Sequence, residues 1–179
     1  MKVEILKEAG YEEAILGLSL SKGAKLDRAK EVAVILAPMD LGHNKVLEHI
    51  EVWLLVDAPR YWWQEADTYR LSSKQSESTM HTIHKRNLTQ EDFESSILPA
   101  YLVHLNQLID IYMKTKTVAD LVKLKNAMPE GFLQRREWKM SYKTLRNILL
   151  QRTKHRLPQW HMLCDYVRKN IEHPELLPQ

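Results

Sequence analysis

The segment Glu51-Val52-Trp53-Leu54-Leu55-Val56-Asp57 constrains this chain more than any other. Its residues alternate, yet both sets are apolar: Val52, Leu54 and Val56 on one side, Trp53 and Leu55 on the other. A strand with one solvated face carries polar side chains at every second position. This one is therefore expected to be covered on both faces and to lie inside a sheet. Ala58-Pro59 should end the strand and open a helix, since proline suits a first helical turn and cannot donate to a ladder.

Elements suited to surround such a strand lie on both sides of it. Lys2 to Lys7 alternates as a short strand closed by Ala9-Gly10. Ala14, Ile15 and Leu18 recur at helical spacing and stop at Gly23, and Leu26, Ala29, Ala33, Val34 and Ala37 mark a second helix stopped by Pro38. Downstream, Thr89-Gln90-Glu91-Asp92 has the form of a capped helix start. It precedes a stripe of Ile97, Tyr101, Leu105, Leu108 and Tyr112, in which Pro99 either divides the helix or sits in a first turn. Val118 to Met128 reads as a helix, Phe132 to Met140 as a strand with Arg135 and Arg136 facing solvent, and Leu157 to Arg168 as a last helix. From Glu172 onward a proline-containing tail is expected to fray. With 179 residues and 44% hydrophobic content, one domain spanning 1–179 is expected to bury its own core.

Charge and cysteine usage exclude several function classes. The net charge is +3 and the basic residues are dispersed, so no nucleic-acid arm is expected. The single cysteine, Cys164, permits neither an intrachain disulfide nor a cysteine-based zinc site, which suits a reducing cytoplasm, and it reads as a packed residue. No apolar run reaches the roughly 18 residues a membrane span needs, so a soluble, unprocessed chain is expected. His43 and Glu48 stand five apart, which does not place them on one helical face, and no metal site is expected from them.

Two stretches carry candidate chemistry. Beyond Tyr69-Arg70 the chain turns polar without a hydrophobic period, the pattern of a ligand-facing loop. In the carboxyl third, Leu145, Ile148, Leu149 and Arg152 share one helical face, so Arg152 continues an apolar stripe and calls for a partner. Lys143, Asn147 and Gln151 form a separate polar stripe on that helix.

These residues resemble a known family. Gly42-His43, then Leu47-Glu48-His49-Ile50, an apolar strand, Ala58-Pro59, Arg70 and, eight positions later, Ser78 are similar to the flavin-dependent thymidylate synthases. That family's signature is Arg-His-Arg, seven residues, then Ser. Here the triplet falls on Thr68, Tyr69 and Arg70, with Ser73 also matching. Two guanidiniums suited to forking onto phosphate are absent across the signature, Met80-His81 stands where an Arg-Tyr pair would, and acids appear at Glu65 and Asp67. The resemblance continues through Lys125 before Pro129, Asn147, Arg152 and Gln159-Trp160, with Ser141 and Lys143 at the family's Asn-x-Arg positions. One inserted residue leaves either His155 or Arg156 at the family's histidine.

The resemblance implies an α/β (α+β) fold, a central mixed or antiparallel sheet with helices packed around it, in a cytoplasmic homotetramer. It implies reductive methylation of deoxyuridylate (dUMP) with FAD, NADPH and methylenetetrahydrofolate, without an enzyme nucleophile. It assigns flavin contacts to His43, Glu48, Thr68, Tyr69, Arg70, Asn147 and His155. Substrate contacts fall on Ser78, Lys125 and Arg152, the last polarising the pyrimidine. A non-catalytic nucleotide- or flavin-binding homologue that keeps the fold and oligomer is the alternative.

Overall fold

The structure, a computed structural model, describes residues 1–179. The chain opens with strand β1 (Lys2–Ala9), helices α1 (Tyr11–Lys22) and α2 (Leu26–Leu36), and a short α3 (Val46–His49). Strand β2 (Glu51–Pro59), helix α4 (Arg60–Ala66), strand β3 (Ser72–Ser76) and a short α5 (Thr79–Thr82) follow. Helices α6 (Pro99–Thr115) and α7 (Val118–Ala127), strand β4 (Leu133–Ser141), and helices α8 (Tyr142–Arg152) and α9 (Pro158–Asn170) complete the order. The four strands form one antiparallel sheet in the order β1-β2-β4-β3, so the class is α/β.

Strand β2 is internal to the sheet, as its pattern requires, but its two faces differ. Val52, Leu54, Val56 and Ala58 are wholly buried. Trp53 and Leu55, on the other face, are half-buried. The cover on Trp53 is cationic: the ammonium groups of Lys7 and Lys139 lie 5.7 and 5.1 Å from its ring centroid. Lysine stems shield the indole while their charges reach water, which a sequence reading of two apolar faces does not anticipate.

Contacts divide the chain into two compact units, one comprising Met1, Asp57–Thr68 and Ser76–Arg136, the other Lys2–Val56, Tyr69–Gln75 and Glu137–Gln179. In the first, Ile83, Leu88, Phe93, Leu105, Ile109, Leu124 and Met128 form the core. Thr89 and Asp92 do make a reciprocal capping box, but it closes only a single 3-10 turn. The long helix starts instead at Pro99, whose fixed φ and missing N–H suit a first turn. Arg135 faces solvent as expected, whereas Arg136 lies 4.6 Å over the Trp63 ring and donates to both oxygens of Asp67 at 3.1 Å.

In the second unit α1 packs on α2 and α3, α3 on α8, and α9 on α8 and β1. Gly10 supplies the left-handed turn before α1, at φ 90°, where a Cβ would stand 2.2 Å from the His49 carbonyl oxygen. Helix α8 is capped by the Ser141 side chain, which accepts the Thr144 N–H at 3.3 Å. The tail corrects expectation: Leu176 and Leu177 are buried, and His173 stacks on Tyr11 with centroids 3.6 Å apart. Cys164 is buried, and burial pushes its thiol above the ordinary value. No helix is long and apolar enough to cross a membrane.

Candidate functional site

The polar stretch after Arg70 is not a loop. Ser72–Ser76 is β3, the strand beside β4 at the end of the sheet, and Thr144 of α8 donates to the Leu71 carbonyl at 3.1 Å just before it. A row of serines with no apolar alternation is tolerated at a sheet edge, where side chains need not enter the core. The cleft beside it, about 240 Å³, is lined by Glu51, Arg70, Leu71, Ser72, Ser73, Lys139, Met140 and Ser141. Lys139 is paired there with Glu51 at 2.6 Å. Arg70 is exposed and shares the lining of this cleft with Ser72, Ser73 and Ser141.

Beside β4 and α8 the same unit holds an aromatic clamp around Arg152. The Arg152 Nε–H donates to the Tyr69 hydroxyl at 2.8 Å, and that hydroxyl donates to the Gln151 side-chain oxygen at 2.9 Å. The guanidinium carbon lies 4.6 Å from the Trp160 ring centroid and 5.4 Å from that of Tyr69. Tyr69 meets Trp160 edge-on at 6.0 Å, and the Trp138 ring, tilted against it, lies 6.5 Å away. The stripe that ended in Arg152 thus ends in a planar cation held against planar rings, an arrangement worth about 0.5–2 kcal/mol per ring contact. His155 meets Trp160 edge-on at 6.3 Å, and its Nδ1 accepts the Leu157 N–H at 3.2 Å.

Other proposed flavin contacts of this unit are placed differently. Glu48 is an exposed residue bonded to Lys143, which holds its carboxylate below the usual range. His43 and Asn147 are exposed, Asn147 on the outer side of α8.

The first unit carries the substrate-phosphate candidates. Ser78 is the cap residue of α5, and its carbonyl accepts from His81 and Thr82. Lys125 of α7 donates to Thr79, and its ammonium is pushed down by burial and by the nearby charge of Arg60. Thr79 was not legible as a site residue; its adjacency to Ser78 at a helix start is the one sequence signal it offers. Thr68 donates its hydroxyl to the Glu65 carbonyl at 2.7 Å, closing the end of α4.

The residues present fit a flavin at part of the signature only. Arg70 and Ser73 provide a cation and a hydroxyl suited to a phosphate oxygen, whereas Ser72 gives its hydroxyl proton to the Tyr69 carbonyl at 2.6 Å and Ser141 is bonded to Thr144. Thr68 and Tyr69 do not provide such donors, since each hydroxyl proton is already given to an oxygen of its own unit. No group of three or more His, Cys, Asp or Glu is arranged to hold a metal.

The α/β fold thus carries an exposed arginine in a cleft and a second arginine set over aromatic rings. The family model described as thymidylate synthase complementing protein matches residues 7–165, and the chain belongs to that family. No curated protein sequence matches it. Its fold is similar to a crystal structure of flavin-dependent thymidylate synthase ThyX from Helicobacter pylori complexed with FAD and dUMP, at TM-score 0.81 and 16% identity over 99% of this chain and 98% of that one. A second structure of that enzyme with FAD and dUMP, at 2.31 Å, gives TM-score 0.81 and 18% identity over 99% and 97%.

Proposed function

We propose that this chain binds FAD and deoxyuridylate and is a divergent flavin-dependent thymidylate synthase-like enzyme, methylating its substrate at C5 or carrying out a related C5 modification. The observation that carries this reading is the clamped Arg152. It is an arginine at the position of the family's pyrimidine-binding residue, held by two neighbouring aromatic rings and a hydrogen bond. A guanidinium so held donates in one plane to a pyrimidine carbonyl and draws electron density from the ring, which favours attack at the adjacent carbon.

The substrate phosphate falls to Ser78 and Lys125, with the flavin phosphates at Arg70. Asn147, His155, His43 and Glu48 are the remaining flavin candidates, with Glu48 acting through its pair with Lys143. Bound flavin would supply the reducing equivalent, with NADPH as reductant and methylenetetrahydrofolate as carbon donor. A cytoplasmic homotetramer of single-domain subunits completes the proposal.

Absorbance of the purified protein for bound flavin, its perturbation on adding dUMP, and dUMP-dependent turnover test this directly. Protein that stays flavin-free after incubation with FAD and shows no turnover refutes it. The internal commitment of Thr68 and Tyr69 favours one second reading, a homologue that binds ligand without chemistry. Complementation of a thymidine auxotroph would refute that one.

A further inference from the structure

We infer that Tyr69 is a positioning residue for Arg152 and not a contact of the flavin, an inference that rests on the assignment of Arg152 to the pyrimidine. A phenol has one proton to donate. That of Tyr69 goes to the Gln151 oxygen at 2.9 Å, which turns an oxygen lone pair to the Arg152 Nε–H at 2.8 Å. With the donor spent, the hydroxyl offers a flavin phosphate nothing but a second acceptor, and two acceptors repel.

The consequence for Arg152 is a loss of freedom. A guanidinium is planar, so a bond at Nε and a ring 4.6 Å from its central carbon fix both the direction of its fork and the tilt of its plane. Tyr69 in turn meets Trp160 edge-on at 6.0 Å and is bonded to Gln151, so the acceptor of the Nε–H is itself held at two points. Freezing a long side chain before ligand arrives removes an ordering cost that binding would otherwise meet.

Tyrosine also differs in kind from histidine at this position. A phenol oxygen accepts a hydrogen bond throughout the neutral range. An imidazole loses its acceptor on protonation and then repels a neighbouring guanidinium. Arg152 is therefore held in one orientation across the pH range in which a histidine there would release it.

The test is calorimetric titration with dUMP of the wild type, Tyr69→Phe, Arg152→Ala and the double variant, with flavin content and melting temperature measured on each. Phenylalanine keeps the ring and removes only the hydroxyl. Tyr69→Phe should weaken dUMP by about 10-fold, the loss of one hydrogen bond to a charged group. Flavin content should not change, and the double variant should bind no worse than Arg152→Ala alone. Gln151→Leu, which frees the phenol to turn, should give a smaller loss of the same kind. Tyr69→His should make dUMP affinity fall as pH drops through the imidazole range. Additive losses in the double variant, or flavin loss with unchanged dUMP affinity, overturn the inference. If Arg152→Ala weakens dUMP and Tyr69→Phe does not, the inference alone falls. If Arg152→Ala leaves dUMP affinity intact, the pyrimidine assignment falls and takes the inference with it.

Discussion

Removing the hydroxyl of Tyr142 should destabilise the protein in a pH-dependent way. Tyr142, at the start of α8, is wholly buried and donates to Glu8 of β1, whose other carboxylate oxygen accepts the Glu172 N–H of the C-terminal segment at 2.9 Å. One carboxylate thus ties three parts of one unit. Tyr142→Phe conserves the ring and leaves no cavity, so the cost is that of a hydrogen bond to a charged group, about 1.5–3 kcal/mol. Burial pushes the Glu8 carboxyl above its ordinary value, and the Tyr142 and Glu172 bonds pull it part of the way back.

The sign follows from proton counting. Between the ordinary carboxylate value and the raised one, the folded protein binds more protons at Glu8 than the unfolded chain. Stability from this group is therefore greatest below that window and falls as pH rises through it. Without the Tyr142 donor the folded value climbs further, so the fall becomes wider and deeper. Urea denaturation from about pH 4 to about pH 8 should show the Tyr142→Phe deficit smallest in acid and largest at neutral pH, and Glu8→Gln should remove the difference. A deficit equal at every pH, or none at all, would refute the argument.

Arg152→Ala should cost about 1 kcal/mol of stability, since the side chain is half-buried, yet weaken dUMP binding by about 100-fold. Calorimetry beside thermal melting separates the two, and a stability loss alone would make the arginine structural. Gly10→Ala should destabilise by at least about 2 kcal/mol in urea, because the added Cβ meets a backbone oxygen at 2.2 Å in a left-handed conformation. Leu176→Ala should cost about 2–4 kcal/mol if the tail is part of the core, as its 2% exposure requires, and almost nothing if the tail frays.

What was legible in the sequence tracks how local its cause is. Strand β2 and helix α8 follow from side-chain period and flanking residues, and both stand where the pattern puts them. Strand β3 was misread because Ser-Ser-Lys-Gln-Ser has no period; its state is set by pairing with β4, a partner remote in sequence. The tail was misread because its prolines outweigh Leu176 and Leu177 in any local count, while the surface they cover is built by distant residues. Arg152 was legible as a charge at the end of an apolar stripe. Its partner Tyr69, 83 residues away, was not, since helical geometry fixes a face and says nothing about what that face meets.

The same distinction alters what the signature stretch means. From sequence, Asp67 in a region that should receive phosphate is a repulsive charge. In the fold it accepts two bonds from Arg136, whose guanidinium is stacked on Trp63, so an arginine from β4 neutralises it within its own unit. Thr68 and Tyr69, where the family has a cation and an imidazole, direct their hydroxyl protons to internal oxygens. Asp67, Thr68 and Tyr69 thus make bonds within the chain, while Arg70 is exposed and lines a cleft with Ser73. A phosphate held by one exposed guanidinium is bound more weakly and is more readily screened by salt than one held by two. FAD should therefore bind the proposed Arg70 site weakly and lose affinity as salt rises, and titration at low and high salt showing salt-independent binding would refute that placement.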